Sequence, residues 1–279
     1  MAGGLSTYGI ISLREPVDVS LAEAGMIQAL GVRIETNSEL GKDFTLEELL
    51  PRFDAVFLGI GLGATNEMKI AGEEWIVDGL DYIEQSKLSP STMRIGRHVS
   101  VIGAGNTSID CATVAKRLGA ERVTMIYRRT PEEMTAYPHE FEFVKKEGVE
   151  FRFLTQPIGV IGSNGNVTGL RCLRMELGEP DASGRRSPRP ISGSEFTIET
   201  DQIVKAVGQK KPAIEPGLKR LNGFLQVDRN LQTSMPGVWA GGDSIRAKGA
   251  ASTVMAVQDG KVAAVAIHQK ITQELHQHG

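Results

Sequence analysis

The chain has 279 residues, 41% of them apolar and 23% charged, with a formal charge of −3; that length accommodates two domains or one large α/β domain. The slight acidity and the lack of a Lys/Arg block argue against nucleic acid or an anionic membrane as partner. No apolar stretch reaches the roughly 20 residues that span a bilayer, and the start at Met1–Ser6 has neither the basic nor the apolar run of a secretory signal, so the cytoplasm is the expected compartment.

Apolar β-branched runs alternate with amphipathic stretches, the rhythm of a parallel sheet covered by helices. The spacing predicts a helix over residues 19–30, with Val19, Ala22, Met26, Ile27 and Leu30 on one face, then a short strand at Val32–Thr36. Thr45 opens a helical turn through Leu50, and Asp54–Ile60 reads as a buried strand. Leu80–Lys87 is helical and Ser89–Gly96 a linker. A second cycle follows, with strand His98–Ile102, helix Asn106–Leu118, strand Arg122–Tyr127, helix Pro138–Glu147 and strand Glu150–Leu154. Between Gly159 and Ile198 the pattern becomes strand, turn and strand, as in a hairpin or meander. Its polar Pro180–Pro190 stretch reads as a surface loop. Gln202–Val207 and Val238–Ala240 are strands, and Ser252–Gln269 is a long closing helix.

His98–Ile102 runs directly into Gly103-Ala104-Gly105-Asn106-Thr107-Ser108, a G-x-G-x-x-S turn that opens a helix. Strand before and helix after is the context that a dinucleotide fingerprint requires. Gly103 permits the tight turn, Gly105 has no Cβ to obstruct a pyrophosphate, and Ser108 is small enough to replace the third glycine at the helix–strand contact. Free N–H groups and the helix dipole favour phosphate at that end. In an NAD-binding unit an acidic residue ends the second strand, about 20 residues on, and accepts from the ribose 2′-OH. Here that strand ends in Arg128-Arg129, two guanidiniums suited to a 2′-phosphate, so NADPH is expected rather than NADH. If both arginines are only solvated strand-end charges, the selectivity stays open.

The two cysteines, Cys111 and Cys172, form no CxxC pair and belong to no cluster, so redox chemistry here rests on a bound cofactor. Near the C-terminus, Thr233-Ser234-Met235-Pro236-Gly237-Val238-Trp239-Ala240-Gly241-Gly242-Asp243 ends a strand in Gly-Gly-Asp, and Gly249-Ala250-Ala251-Ser252-Thr253 opens the closing helix. Taken alone, Asp243 is a cap or turn residue. The pattern is, however, similar to the second flavin motif of two-dinucleotide flavoproteins. With Gly3-Gly4-Leu5, Tyr8-Gly9-Ile10, Val101–Asp110, Tyr127-Arg128-Arg129, Arg174–Gly178 and Val207-Gly208-Gln209, nearly the whole chain resembles the glutamate synthase small (β) subunit. The flavin segment of dihydropyrimidine dehydrogenase is comparably similar.

The resemblance implies an α/β fold in which a Rossmann-like NAD(P)H domain, residues 95–209, is inserted into an FAD domain made of residues 1–94 and 210–279. It implies hydride transfer from NAD(P)H to FAD, then electron transfer to a partner subunit or iron–sulfur domain outside this sequence. On the flavin side it carries over Gly242, Asp243 towards the ribitol, and the backbone at Ala250, Ala251 and Ser252; on the nucleotide side it adds Gly208.

The sequence also departs from that family. The N-terminal iron–sulfur domain and the first FAD βαβ unit, with its own G-x-G-x-x-G and ribose-binding Glu, are not in it. Gly59-Ile60-Gly61-Leu62-Gly63 follows a strand, but Ala64–Gly72 offers no amphipathic helix to make it a substitute. Ser12-Leu13-Arg14-Glu15-Pro16 stands where relatives read closer to Phe-Arg-Leu-Pro. The expectation is therefore an incomplete FAD half that binds FAD weakly or not at all, with exposed strand edges that favour a homodimer.

Hydride transfer depends on placement more than on acid–base groups, and no catalytic residue or metal-ligand set is assigned. His139 beside Glu140 reads as a polar helix pair, and Asp110 as a carboxylate stabilised by the helix dipole. The leading reading is an NADPH-oxidising electron-input module. A nucleotide-binding piece without flavin, and a dehydrogenase acting directly on a small substrate, are the alternatives.

Overall fold

A computed structural model describes residues 1–180, 186–211, 217–246 and 252–278. The chain begins with α1 (Leu5–Tyr8), α2 (Val17–Ala29), α3 (Leu46–Leu49) and β1 (Val56–Leu58). Next come β2 (Val77–Asp78), α4 (Gly79–Leu88), β3 (His98–Ile102), α5 (Asn106–Arg117), β4 (Arg122–Ile126), α6 (Pro138–Lys146) and β5 (Glu150–Arg152). Then β6 (Thr155–Ser163), β7 (Asn166–Pro180), β8 (Arg186–Pro190), β9 (Phe196–Glu199) and β10 (Gln202–Lys205) follow. The C-terminal part holds β11 (Arg220–Leu221), β12 (Phe224–Leu225), β13 (Val238–Ala240) and α7 (Thr253–His278). Two compact units result: Met1–Arg33 with Thr65–Gly208, and Ile34–Ala64 with Gln209–Gly279.

The first unit is built on five parallel strands in the order β2-β10-β3-β4-β5. Alternation along the strands sends Val99, Val101, Val123, Met125 and Val204 to one face. There they pack against Tyr82 and Ile83 of α4, Ile109 and Ala112 of α5, and Val144 of α6. Ile102, Ile126 and Ile203 point the other way, onto Leu170 and Cys172 of β7. β7 pairs antiparallel with β6, β8 and β9, so the meander expected after Gly159 is a third layer. Each large apolar side chain buried this way contributes about 1.5–3 kcal/mol.

The contacts divide the chain differently from the 94/95 boundary read in the sequence, because residues 1–33 and 65–94 pack with the nucleotide helices. Ile11, Tyr82 and Ile83 join the apolar core of the nucleotide helices, and polar ties add to it. Lys87 of α4, only 8% exposed, donates to the carbonyls of Ser6 (2.8 Å) and Glu15 (2.9 Å). Arg14 pairs with Asp110 and Glu140, and β2 adds a strand beside β10.

The expected face of α2 is not buried. Val19, Met26, Ile27 and Leu30 are exposed, and the one buried residue is Ser20, whose hydroxyl lies 3.0 Å from that of Thr7. Apolar residues are spread around this helix rather than gathered in a stripe, so they specify no buried side. Val32–Thr36 forms no strand; left-handed backbone at Gly31 (φ +93°) and Asn37 (φ +57°) bounds it on both sides.

In the second unit β1 and β13 make a two-stranded parallel pair, Val56 opposite Val238 through Leu58 opposite Ala240. Leu46, Leu218 and Leu225 complete the core around it. Thr45 caps α3 with a full capping box, its hydroxyl accepting from Glu48 N–H and its own N–H donating to the Glu48 carboxylate. β1 is shorter than Asp54–Ile60, and Phe57 and Ile60 stay partly exposed.

Tyr82 is fully buried, yet its hydroxyl has no hydrogen-bond partner among the described residues. Leaving a buried hydroxyl unpaired costs about 1–3 kcal/mol. Tyr82→Phe should therefore leave the thermal melting temperature unchanged or raise it. A clear fall in Tm would show that the hydroxyl is paired.

Candidate dinucleotide site

β3 ends at Ile102 and α5 begins at Asn106, leaving Gly103-Ala104-Gly105 as the turn. Gly103 sits at φ +137°, and a Cβ there would fall inside 3.0 Å of both the Ala206 carbonyl oxygen and Ser108 Oγ. Only glycine fits. Ser108 is fully buried and donates to the Ala206 carbonyl at 3.2 Å, which makes the close helix–strand contact expected of that position. Gly105 differs. Its backbone is ordinary (φ −99°, ψ 178°), and the nearest atom to an added Cβ, Thr135 Oγ1, would lie 3.3 Å away. Packing alone makes a weaker demand for glycine here than at Gly103, and the missing side chain leaves space beside a cavity. Gly105 also precedes α5 without a side chain to cap it, so the first N–H groups of the helix remain suited to an anion.

The cavity has a volume of about 540 Å³. It is lined by Gly103, Ala104, Gly105, Thr107, Arg128, Arg129 and Gly208, all singled out in the sequence. Asn106 and Ser108 are not on its wall: Asn106 Oδ1 accepts from the Tyr137 N–H at 3.1 Å, and Ser108 faces the sheet. The two arginines, equivalent in sequence, differ in the fold. Arg128 is exposed, whereas Arg129 is nearly buried and its Nε donates to the Arg186 carbonyl at 3.3 Å.

Other wall residues belong to no motif, among them Asn66–Met68, Thr135 and Gln156. Asn66 arrives because its N–H donates to the Gly208 carbonyl at 2.8 Å. The Asn66–Lys69 loop is anchored by Glu73, whose carboxylate accepts from the N–H groups of Met68 (2.9 Å) and Lys69 (2.6 Å) and from Lys205 Nζ (2.6 Å). Burial pushes the Glu73 pKa up, but these donors outweigh it and hold the pKa down to about 2. No sequence signal marks any of these residues, since each depends on which strands are neighbours.

Asp110 and Glu140 are both buried, and Arg14 bridges them, 3.0 Å from Asp110 Oδ1 and 2.7 Å from Glu140 Oε1. Burial pushes the Asp110 pKa up to about 7; the pull of Arg14 and Lys87 opposes the rise and the charge of Glu140 adds to it. The helix dipole is thus not what sets this carboxylate. Nor do His139 and Glu140 form a pair: His139 stacks on Tyr137, with ring centroids 5.7 Å apart, while Glu140 turns inward to Arg14.

In the second unit Gly241 is extended and Gly242–Ile245 forms a 3-10 turn. Asp259 of α7 is buried, accepts from the Gly242 N–H at 2.8 Å and pairs with Arg246, fixing the Gly-Gly-Asp segment to the helix. Asp243 is half-buried; burial raises its pKa and Arg246 opposes the rise. Ser252 accepts from the Met255 N–H at 3.3 Å, as a cap on α7. Ala250 and Ala251 lie outside the described residues. Residues 59–70 form no helix, and the Gly63 N–H donates to the Lys210 carbonyl at 2.8 Å, so Gly59–Gly63 is not a phosphate cradle. Among the described residues no His, Cys, Asp or Glu cluster could hold a metal ion, and no helix is long and apolar enough to cross a membrane.

The model of the pyridine nucleotide-disulphide oxidoreductase family matches residues 20–260. The chain is 40% identical over 284 residues to the β subunit of the NADP(+)-dependent formate dehydrogenase of Moorella thermoacetica, covering 98% of this chain and 40% of that one. It is 37% identical over 286 residues to the glutamate synthase [NADPH] small chain of Azospirillum brasilense, covering 95% of this chain and 59% of that one. It therefore spans less than two thirds of either relative. Among solved structures, Mycobacterium tuberculosis FprA in complex with NADPH superposes with a TM-score of 0.74 at 17% identity, over 98% of this chain and 76% of that one. Thioredoxin reductase of T. acidophilum gives 0.69 at 20%, over 98% and 88%. At those identities the two structures speak for the fold alone. The sequence match settles the family: the chain belongs to the pyridine nucleotide-disulphide oxidoreductases, among the relatives of the glutamate synthase small chain.

Proposed function

We propose that the chain is a cytoplasmic electron-input module that binds NADPH and FAD and serves a partner subunit or iron–sulfur domain. One observation carries the nucleotide half: the cavity at the end of β3 joins the glycine turn and the start of α5 to the exposed guanidinium of Arg128. The relatives' names, an NADP(+)-dependent dehydrogenase subunit and an NADPH glutamate synthase chain, support the same electron donor. When bound, NADPH supplies a hydride and FAD accepts it and releases electrons singly.

The residues of this chain have separate tasks in that reading. The N–H groups at Gly105–Thr107 and the dipole of α5 hold the pyrophosphate. Gly103 and Ser108 keep the turn tight against the end of β10. Arg128 takes the 2′-phosphate, and Arg129, tied to the Arg186 carbonyl, adds positive charge from a fixed position. Gly208, at φ +85°, lets the chain pass close to the ligand. In the second unit Asp243 and the start of α7 would hold the flavin, with Asp259 keeping the Gly242 turn in place.

Titration of the chain with NADPH and with NADH, followed by nicotinamide fluorescence, tests the nucleotide half. NADPH should bind more tightly. Losing one charge-assisted contact in Arg128→Ala should weaken NADPH about 10- to 100-fold and leave NADH nearly unchanged. Equal affinity for both nucleotides, before and after the substitution, would remove Arg128 from selectivity. For the flavin half, FAD added in excess should be retained through gel filtration, and Asp243→Ala should lower the amount retained. Retention that Asp243→Ala leaves unchanged would count against the flavin role of Asp243, and complete indifference to FAD would leave a nucleotide-binding module only.

A further inference from the structure

Arg14 stands before α2, far in sequence from the glycine turn, yet it touches both helices that frame that turn. One of its terminal nitrogens reaches Asp110, one helical turn into α5; the other reaches Glu140 in the first turn of α6. The chain entering α6 folds over the turn itself. The N–H groups of Thr135 and Ala136 donate to the Ala104 carbonyl (3.2 and 3.1 Å), and that of Tyr137 donates to Asn106 Oδ1 (3.1 Å). Thr135 Oγ1 is the atom nearest the space beside Gly105. The separation of α5 from α6 therefore sets how closely residues 135–137 sit on the turn.

We propose that Arg14 is a positioning residue for the dinucleotide site: by bridging Asp110 and Glu140 it fixes the gap between α5 and α6 and so the shape of the turn that receives the pyrophosphate. The proposal rests on the nucleotide-binding reading above and gives the N-terminal segment a part in it.

The surroundings leave few other ways to hold the two carboxylates. Among the described residues Glu140 Oε2 has no hydrogen-bond partner, and Asp110 Oδ1 meets Arg14 as an ion pair without hydrogen-bond geometry. The charged groups acting on Asp110 are Arg14 from the N-terminal segment, Lys87 from α4 and Glu140 from α6, with Cys111 beside it on α5; Glu15 acts on Lys87, and Tyr82 neighbours Cys111. Lys87 spends donors on the Ser6 and Glu15 carbonyls, and the Tyr82 hydroxyl has no partner among the described residues. Removing Arg14 would leave two buried carboxylates close together, the arrangement that burial and like charge penalise most. Ionised Asp110 completes the bridge; protonated Asp110 leaves Arg14 to Glu140 alone. Because burial raises this pKa to about 7, the bridge is completed as pH rises through neutrality. Nucleotide affinity coupled to it rises in the same direction.

The test uses the full chain, NADPH as probe, and a pH range from about 5.5 to about 8.5 that brackets the Asp110 transition. Wild type, Arg14→Met, Arg14→Lys and Asp110→Asn are compared for affinity and thermal melting. The 2′-phosphate of NADPH titrates near pH 6 in every variant, so the difference between wild type and Asp110→Asn isolates Asp110. At the alkaline end Arg14→Met should bind NADPH about tenfold more weakly than wild type. Arg14→Lys should recover melting temperature more fully than affinity, since an ammonium restores the charge but not the planar two-armed bridge. Asp110→Asn should lose the part of the pH dependence centred near 7 that wild type shows. A merely stabilising Arg14 would move melting temperatures and leave affinity and its pH profile alone. If Arg14→Met does not fold, Asp110→Asn, of the same shape, decides: a profile that superposes on wild type overturns the proposal. If wild type binds NADPH and a folded Arg14→Met binds it equally at every pH, the bridge has no part in binding and the nucleotide reading stands. If wild type binds no NADPH, both fall.

Discussion

The end of β3 and the start of α5 approach the end of β10 so closely that position 103 has room for hydrogen alone. Its N–H is spent on the Ile126 carbonyl at 3.0 Å, and the Ala206 N–H on that of Ile102 at 2.8 Å. Strands β10, β3 and β4 therefore finish together. Their three exits, at Gly208, at the glycine turn and at Arg128, open on one cavity at the carboxyl edge of a parallel sheet. That edge is where ligands of open parallel sheets bind, because helix N-termini and strand exits converge there. A side chain at position 103 would push α5 away from β10 and separate the groups that the cavity brings together.

Two charged clusters hold the parts around that contact. Glu73 gathers two backbone N–H groups and Lys205 and so fixes the loop carrying Asn66. Arg14 gathers Asp110 and Glu140 and so ties α5 to α6. The two differ in how fully the carboxylates are satisfied. Glu73 receives enough donors to stay ionised far below neutrality, whereas Asp110 is left short of them and sits at the edge of protonation. Burial penalises both, and the count of donors decides the outcome.

What could be read from the sequence was the local part. The turn from Gly103 to Ser108, the strands on either side of α5 and the bounds of Val238–Ala240 follow from residue type and period, because each is decided within about a dozen neighbouring residues. The rest depends on partners remote in the chain. Arg14 looked like a mismatch in a loop, and nothing in Ser12–Pro16 announces a contact with residues 110 and 140. Arg128 and Arg129 read alike until β8 supplies the carbonyl that tethers one of them. The apolar positions of α2 suggested a buried face, but their angular spread specified none. The 94/95 boundary was drawn from resemblance, whereas residues 1–33 are tied to the nucleotide unit by the buried Ile11 as well as by Lys87 and Arg14.

The central claim is that the backbone of the glycine turn holds the pyrophosphate of a nicotinamide dinucleotide. Amide resonances of the chain recorded with and without NADP(+) test it most directly, because they report on the N–H groups themselves. The claim predicts large shifts at Gly105, Asn106 and Thr107, with Arg128 also perturbed. Binding that leaves the amides of residues 105–107 in place would contradict it.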